Sequence, residues 1–491
     1  MKKTHIKLVY SAQQFAKGEN PKQDCSLGLL YIAGKLREHC YDVSLLDICT
    51  GDNGDNLRTS FYNRTNLGND HFRVGLDTDK YKEKLKGNQI VGVTSIFTSQ
   101  THNCLEVANI AKEVDPNILT VAGGGNAEFY YKLFLGNCFD IVVFGEGEDA
   151  MLEIAECVER NQSYANIRNI AYKSNNGEIV VNPNRPVLRD LDKLPLPAWD
   201  LLPLKRYWEI GDPRGGSLNN KAKFLTMQTS RGCPFSCSYC HMSKKKYTPR
   251  IRYKGYERVM KEVDIIKKLG AEYLFLEDDS LFANRKRIKK IFLGLKGKGL
   301  KIINGNGINT AHFFKRDYKN KSYTVDSDML DLMMDVGWQE LSYPFESGNQ
   351  RILDKYASSK WNIKNHDVIE LVKISKKKGL RINGYFTIGY PDETYDELTD
   401  SFMLARRVKD AGLDVVVFYI VTPCPGSALY DIALENNNIP ENIDTKNMKY
   451  GIPNMVNTVI SPDVLQYTRQ LVYKLLNSDN YVSYKDSRKI T

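Results

Sequence analysis

The chain has 491 residues, 42% of them hydrophobic, enough to fill the cores of two domains and too many for a disordered protein. No apolar run approaches the roughly 18 residues needed to span a bilayer, and Met1-Lys2-Lys3 leads straight into a strand-like segment with no signal region, so a cytoplasmic protein without a membrane span is expected. The formal charge of +10 and the run Lys244-Lys245-Lys246 raise nucleic acid as a partner, but no zinc-finger, RNP-type or helix-turn-helix pattern accompanies them, and a lysine run is ordinarily a solvated face.

From Ile6 the chain alternates strand-like and helix-like segments. Ile6 to Tyr10, Val43 to Asp47, Ile90 to Ser95, Ile118 to Ala122 and Ile141 to Phe144 read as short buried strands. Leu27 to His39, Asn103 to Val114 and Asp149 to Glu159 read as helices between or after them. This alternation predicts a doubly wound, Rossmann-like parallel sheet over residues 1–165, which would take its ligand in the loops at the carboxyl ends of the strands. Those loops are Ser11 to Asn20, Ser95 to Gln100, Gly123-Gly124-Gly125-Asn126 and Gly145-Glu146-Gly147-Glu148. A nicotinamide dinucleotide fits poorly, because the glycines follow late strands and the two glutamates would repel a pyrophosphate. Plain tight turns explain each glycine singly about as well.

Ile170 to Tyr172 and Ile179 to Val181 read as a hairpin, and Pro183, Pro186, Pro195, Pro197 and Pro203 mark an extended linker, so residues 166–210 form the join. Beyond it six strands alternate with helices over 211–435, namely Phe224 to Thr229, Tyr273 to Glu277, Ile302 to Asn306, Glu340 to Pro344, Arg381 to Ile388 and Val415 to Val421. A partial parallel barrel is expected, with its chemistry at the carboxyl ends of the strands. Residues 436–491 read as a small accessory region with an amphipathic helix over Pro462 to Leu476.

The first of these strands runs into Arg-Gly-Cys-Pro-Phe-Ser-Cys-Ser-Tyr-Cys-His, which puts Cys233, Cys237 and Cys240 into eight consecutive residues of a loop broken by Gly232 and Pro234. Three thiols with no fourth nearby leave a metal centre with an open position, where chemistry happens. A zinc site completed by His241 competes, but structural zinc usually draws its ligands as two separated pairs, so an iron-sulfur cluster is the preferred reading. The other seven cysteines, Cys424 among them, show no paired spacing and read as buried or incidental. At later strand ends stand Glu277-Asp278-Asp279-Ser280, Asn304-Gly-Asn306, Glu346-Ser347-Gly348 and the stretch Asn383-Gly384 to Ile388, followed by Gly389-Tyr-Pro-Asp392-Glu-Thr394. Each has a plain alternative: charge at a helix N-terminus, turn formation, or capping by Asp392 and Thr394.

The Cys-x-x-x-Cys-x-x-Cys loop, with aromatic Tyr239 before its third cysteine, resembles the cluster loop of the radical S-adenosylmethionine (SAM) enzymes. Glu346-Ser347-Gly348, the Gly-x-Pro-x-Glu-Thr turn and the Thr422-Pro-Cys-Pro-Gly turn resemble further motifs of that family's cobalamin-dependent subgroup. So do Cys25 to Leu36, Tyr41 to Asp47, Val121 to Gly125, Val143 to Glu148 and the connector Leu194 to Leu202. The resemblance implies a 4Fe-4S cluster on Cys233, Cys237 and Cys240, whose open iron chelates SAM. It also implies SAM contacts from Tyr239, Asp278, Asp279, Asn306, Glu346, Ser347, Gly384 and Ile388. Cobalamin would lie on Ser95, Gly123, Gly124, Gly125, Gly145 and Glu146. Ser11 to Gly18 departs from the Asp-x-His-x-x-Gly of other cobalamin proteins, which allows either cobalamin bound with no histidine below the cobalt, the preferred reading, or a domain that has lost cobalamin. The implied activity is methyl transfer to an unactivated carbon of a small molecule, with electrons from a donor such as flavodoxin or ferredoxin. A cyclase or rearrangement enzyme using cobalamin for electron transfer, or an RNA- or protein-modifying enzyme such as a methylthiotransferase, are the alternatives.

Overall fold

The computed structural model describes residues 4–23, 26–68, 71–174, 176–213, 222–244, 250–319, 322–440 and 443–477. Cys25, Lys245, Lys246 and the tail beyond 477 lie outside these. The chain divides into two compact units, Met1–Arg189 with Lys193–Gly211, and Asp190–Asp192 with Asp212–Thr491.

In the first unit the expected strands form as His5–Tyr10, Asp42–Asp47, Ile90–Thr94, Leu119–Gly123 and Ile141–Val143, all parallel. They are near-continuous apolar runs because a parallel sheet is covered by helices on both faces, here Leu27–Glu38, Thr101–Val114 and Glu148–Arg160. The hairpin Ile170–Lys173 and Ile179–Val181 extends this sheet, its first strand running antiparallel beside Ile141–Val143. His5–Tyr10 lies between Ile90–Thr94 and Asp42–Asp47, so the strand order reverses there and opens a crevice at the carboxyl edge. The sequence reading has no counterpart for a second, three-stranded antiparallel sheet of Gln13–Ala16, His71–Val74 and Arg64–Gly68. Its outer strand Arg64–Gly68 is exposed throughout and carries no apolar alternation to read.

The connector motif belongs to this unit for a packing reason. A β-carbon on Gly34 would overlap the Leu196 carbonyl, and the Ala198 amide donates to Leu30 O at 3.0 Å, so the first helix and the proline-rich segment read as one device. Helix Leu204–Ile210 is then pinned by Arg206, which donates to the carbonyls of Thr50 and Asp55 and to Ser60 Oγ. Beside it, Tyr207 Oη donates to buried Asp47 at 2.6 Å. Burial pushes the Asp47 carboxyl up from 3.8 to about 6, against the hydrogen bonds from Tyr207 and Thr50 that favour its ionised form. A carboxyl with a raised pKa in the folded state holds its proton there and loses it on unfolding, so its contribution is present below about pH 4 and lost as pH rises through about 6. Asp47→Asn is expected to remove that slope, read as the pH dependence of the urea midpoint of this unit between pH 4 and pH 7.

The second unit is built on six parallel strands in chain order, Phe224–Met227, Tyr273–Leu276, Lys301–Asn304, Trp338–Glu346, Arg381–Ile388 and Val415–Ile420. The first and last do not pair, so the barrel is partial, as expected. Side chains alternate across each strand. Tyr343, Phe345, Phe386 and Phe418 face the outer helices, with Tyr343 Oη 2.8 Å from Ser375 Oγ and the three Phe rings in line at 5.4 and 5.0 Å. Glu340, Ser342, Asn383, Tyr385 and Thr387 face inward: Asn383 Nδ2 donates to Glu340 Oε1 at 2.9 Å, and Ser342 Oγ to Tyr385 Oη at 3.0 Å.

The helix Pro462–Leu476, as the amphipathic pattern predicts, lies against the edge strand Val415–Ile420. Just past its end, the buried Asn477 amide both accepts from Val416 N at 2.9 Å and donates to Val416 O at 3.0 Å, satisfying backbone groups that an open edge leaves bare. Among the described residues no helix is long and apolar enough to cross a membrane. Asn477→Ala is expected to cost about 1–3 kcal/mol, because it orphans two buried backbone groups. Amide exchange at Val416 should accelerate accordingly.

Candidate functional site

The cysteine loop is closed at its base by a short antiparallel ribbon in which Ser230–Gly232 pairs with Ile251–Tyr253. Gly232 has φ of +96°, and a β-carbon there would overlap the Arg250 carbonyl, so only glycine fits this corner. Asp278 holds the same corner. Its carboxylate accepts from Thr229 N, Thr229 Oγ1 and Ser230 Oγ at 3.0, 2.7 and 2.5 Å. Further along, Ser238 N donates to Tyr356 O and Leu429 N to Ser238 O, both at 2.8 Å, and Arg250 Nη2 donates to the Phe235 and Met242 carbonyls. The loop is therefore seated by backbone contacts that leave its thiols available.

Cys237 is buried, and Cys233 and Cys240 are partly so. Burial pushes all three thiols up, Cys240 to about 12. The Met242 amide donates to Cys240 Sγ at 3.4 Å and the Phe235 amide interacts with Cys233, contacts that favour thiolate. All three also lie within the field of one ammonium, Lys360. Lys360 Nζ pairs with Glu346 Oε1 at 2.8 Å, their side chains only 16% and 8% exposed. Burial alone would lower Lys360, but Glu346 and the Cys237 thiol outweigh it and hold the ammonium well above its usual range. Glu346 is likewise held below the usual carboxylate range, burial being outweighed by Lys360 and by Thr387, whose hydroxyl donates to Oε2 at 2.9 Å. The Tyr239 phenol faces the same carboxylate without a complete hydrogen bond. Glu346 itself sits at φ of +64° where the strand register shifts, a strained conformation for a glutamate that turns its carboxylate inward.

Of the residues expected around SAM, Tyr239, Asp279 and Glu346 gather at the thiols. Asp279 accepts from Gly232 N at 3.0 Å, burial raises its pKa, and its charge is felt by Cys233 and Cys240. Asn306 lies next to them, its amide donating to the Glu277 and Asp278 carbonyls at 3.0 and 3.3 Å. Four others have partners of their own. Asp278 spends its oxygens on the loop corner, as above. Ser347 is fully buried against Ser401 Oγ at 3.0 Å on the helix side. Gly384 and Ile388 share the outward face with Phe386, and a β-carbon on Gly384 would crowd Leu413 and Phe345, so this glycine serves packing. Thr394 is a helix cap, which matches its plain alternative, whereas Asp392 does not cap but pairs with Arg351 and Lys355. Lys360 and Thr387 were not singled out in the sequence. Lys360 lies in an irregular stretch with no motif, and Thr387 could be found only by counting strand parity from Glu346.

No three His, Cys, Asp or Glu side chains converge on a single ion among the described residues, and His241, the fourth ligand a zinc site would draw on, is exposed. Three separated thiols around one buried cation suit instead a larger anionic centre with several corners.

In the first unit, Ser95, Gly123, Gly124, Gly125, Gly145 and Glu146 occupy loops at the carboxyl ends of three adjacent strands. A β-carbon on Gly124 would collide with Ser95 O, and Asn126 Nδ2 donates to Ser95 Oγ and Thr101 Oγ1 at 2.8 and 2.9 Å. Asn126 Oδ1 is buried without a partner. Ile96, 47% exposed, sits in one of these loops, and Phe129, 36% exposed, ends the short helix Gly125–Phe129 that follows another. A glycine shelf with an orphaned buried acceptor and bare apolar groups fits a broad, flat, partly apolar ligand. Gln13 and Gln14, both buried, lie in the stretch Ser11 to Gly18, which has no histidine.

Residues 227–405 match the model of the radical SAM superfamily, and residues 23–155 that of the B12 binding domain. The uncharacterized methyltransferase PH0819 of Pyrococcus horikoshii is 31% identical over 414 residues, 84% of this chain and 79% of that protein. The anaerobic magnesium-protoporphyrin IX monomethyl ester cyclase of Rubrivivax gelatinosus is 28% identical over 407 residues, 82% of this chain and 64% of that one. The structure of the radical SAM methyltransferase TsrM from Kitasatospora setae aligns with a TM-score of 0.64 at 15% identity, covering 89% of this chain and 77% of TsrM. A radical SAM domain implies a 4Fe-4S cluster and SAM, and a B12 binding domain implies cobalamin.

Lys360→Met is expected to leave Glu346 as an uncompensated buried charge and to cost the second unit about 3–5 kcal/mol. Lys360→Met with Glu346→Gln should recover much of that, measured by urea unfolding of the metal-free protein.

Proposed function

Because the chain belongs to the radical SAM enzymes that carry a B12 binding domain, we propose that it transfers a methyl group to an unactivated carbon of a small molecule. The observation that carries this reading is the set of three thiols around the buried Lys360–Glu346 pair, in one chain with the glycine shelf of the first unit. When bound, the cluster and SAM supply a hydrogen-abstracting radical and cobalamin supplies the methyl group, chemistry that no side chain provides for a carbon without an acidic proton.

The protein's own residues bind and balance. Cys233, Cys237 and Cys240 hold the cluster, and the amides of Phe235 and Met242 with the Lys360 ammonium offset its negative charge. Glu346, kept ionised by Lys360 and Thr387, presents a fixed carboxylate oxygen for an ammonium or ribose hydroxyl of SAM, and Tyr239 and Asp279 line the same space. Asp278 and Gly232 position the loop. In the first unit Ser95, Asn126 and the glycines seat cobalamin. A cytoplasmic setting with a flavodoxin- or ferredoxin-like donor suits cluster chemistry of this kind. The cyclase relative favours a second reading, ring formation on the same scaffold, and a product heavier by one methylene unit separates the two.

The test is anaerobic reconstitution with iron, sulfide and hydroxocobalamin. About four irons and one corrinoid per chain are expected, with 5'-deoxyadenosine formed from SAM. Cys237→Ala should abolish 5'-deoxyadenosine while retaining corrinoid. Persistence of 5'-deoxyadenosine in that variant would remove the cluster assignment, and failure of the wild type to hold corrinoid would remove methyl transfer from cobalamin.

A further inference from the structure

The inward face of the second unit carries more than the SAM-facing groups. Tyr385 and Tyr419, from the fifth and sixth strands, meet edge to face at 5.6 Å, and Tyr419 lies 6.0 Å from the ring of Tyr450. Tyr450 comes from the accessory region and is fixed there by its carbonyl, which accepts from Ile420 N at 2.7 Å. The residue is 49% exposed, and its phenol lies within electrostatic reach of Cys424, Cys240 and Glu346. The three rings thus form an aromatic path from the barrel interior to the reacting end.

The helix Pro462–Leu476 adds the wall that a seventh strand would supply. Tyr473, within electrostatic reach of Tyr385, lies one turn after Arg469. Arg469 Nε donates to Phe418 O at 3.2 Å, its guanidinium carbon lies 5.4 Å from the centre of the Tyr473 ring, and its Nη2 would sit 3.3 Å from a β-carbon on Gly451. Arg351, Arg258 and Arg381 in the same unit each have a carboxylate partner. Arg469 pairs with no acidic side chain among the described residues. A planar fork anchored through Nε and packed on an aromatic ring is preset to accept a planar anion in two-pronged fashion.

Resting on the radical SAM reading above, we propose that Arg469 and the tyrosines Tyr385, Tyr419, Tyr450 and Tyr473 form the substrate subsite, and that the substrate is a flat aromatic molecule bearing an anionic group. The rings take its faces and edges, Arg469 takes its charge, and Tyr450 sets its far end beside the cysteine loop. The C-terminal helix is then a determinant of specificity as well as an edge cover.

The test uses anaerobically reconstituted holoenzyme and three probes, 1-naphthoate, 1-naphthamide and cyclohexanecarboxylate, with affinities measured by calorimetry. 1-Naphthoate is expected to bind about tenfold or more tightly than either other probe. R469Q should erase the advantage over the amide, and R469K should retain part of it. Equal affinities in the wild type, absent 1-naphthoate binding, or an R469Q variant with undiminished discrimination would overturn the subsite. Formation of 5'-deoxyadenosine from SAM without probe reports separately on the underlying reading. Wild type and R469Q that both make it while discrimination is absent sink the subsite alone. Discrimination in a wild type that makes none upholds the subsite and sinks the radical chemistry.

Discussion

A lysine ammonium taken out of water is unstable unless an opposite charge goes with it. The second unit depends on how it meets that requirement at Lys360. Glu346 supplies the counter-charge, and to do so it adopts a left-handed backbone conformation at a register shift, with Thr387 from the next strand binding its other oxygen. The pair is electrically closed in the absence of any cofactor. When thiols beside it ionise, the same ammonium is already in place to favour them, so no reorganisation is needed as charge accumulates.

The loop that carries those thiols is held from below and from both sides, chiefly by groups other than the sulfurs. Asp278 and Gly232 make its corner, the ribbon with Ile251–Tyr253 closes its base, and the Tyr356 and Leu429 backbones clasp Ser238. Such support lets the side chains of a loop be as precise as those of a strand. It also explains why two neighbouring aspartates differ in role. Asp278 points at the strand end and is consumed there, while Asp279 accepts one bond from Gly232 and stays in the field of the cysteines.

The two units use a common device, loops at the carboxyl edge of a parallel sheet, in different ways. The first lowers a shelf by placing glycine where any side chain would strike the neighbouring loop, as at Gly124 against Ser95. The second projects charged and aromatic side chains inward from alternate strand positions and completes the wall with a helix after the last strand.

The sequence by itself determined the order and kind of the elements, because buried parallel strands and amphipathic helices leave patterns that local counting recovers. The seventeen segments read from it, including Pro462–Leu476, lie where expected to within a few residues. The cysteine loop, Tyr239, Glu346 and the glycine turns were equally legible, since each rests on a motif contiguous in the chain. Only the tertiary structure decided which face each strand-end residue presents. Gly384 and Ile388 sit beside inward-facing Thr387 and Tyr385 in sequence and yet point to the opposite side, and a short motif carries no parity information. Lys360, Arg206 and Arg469 were invisible for a related reason. Each acts through partners far away in the chain, and a charge acquires its role only when folding removes water from around it.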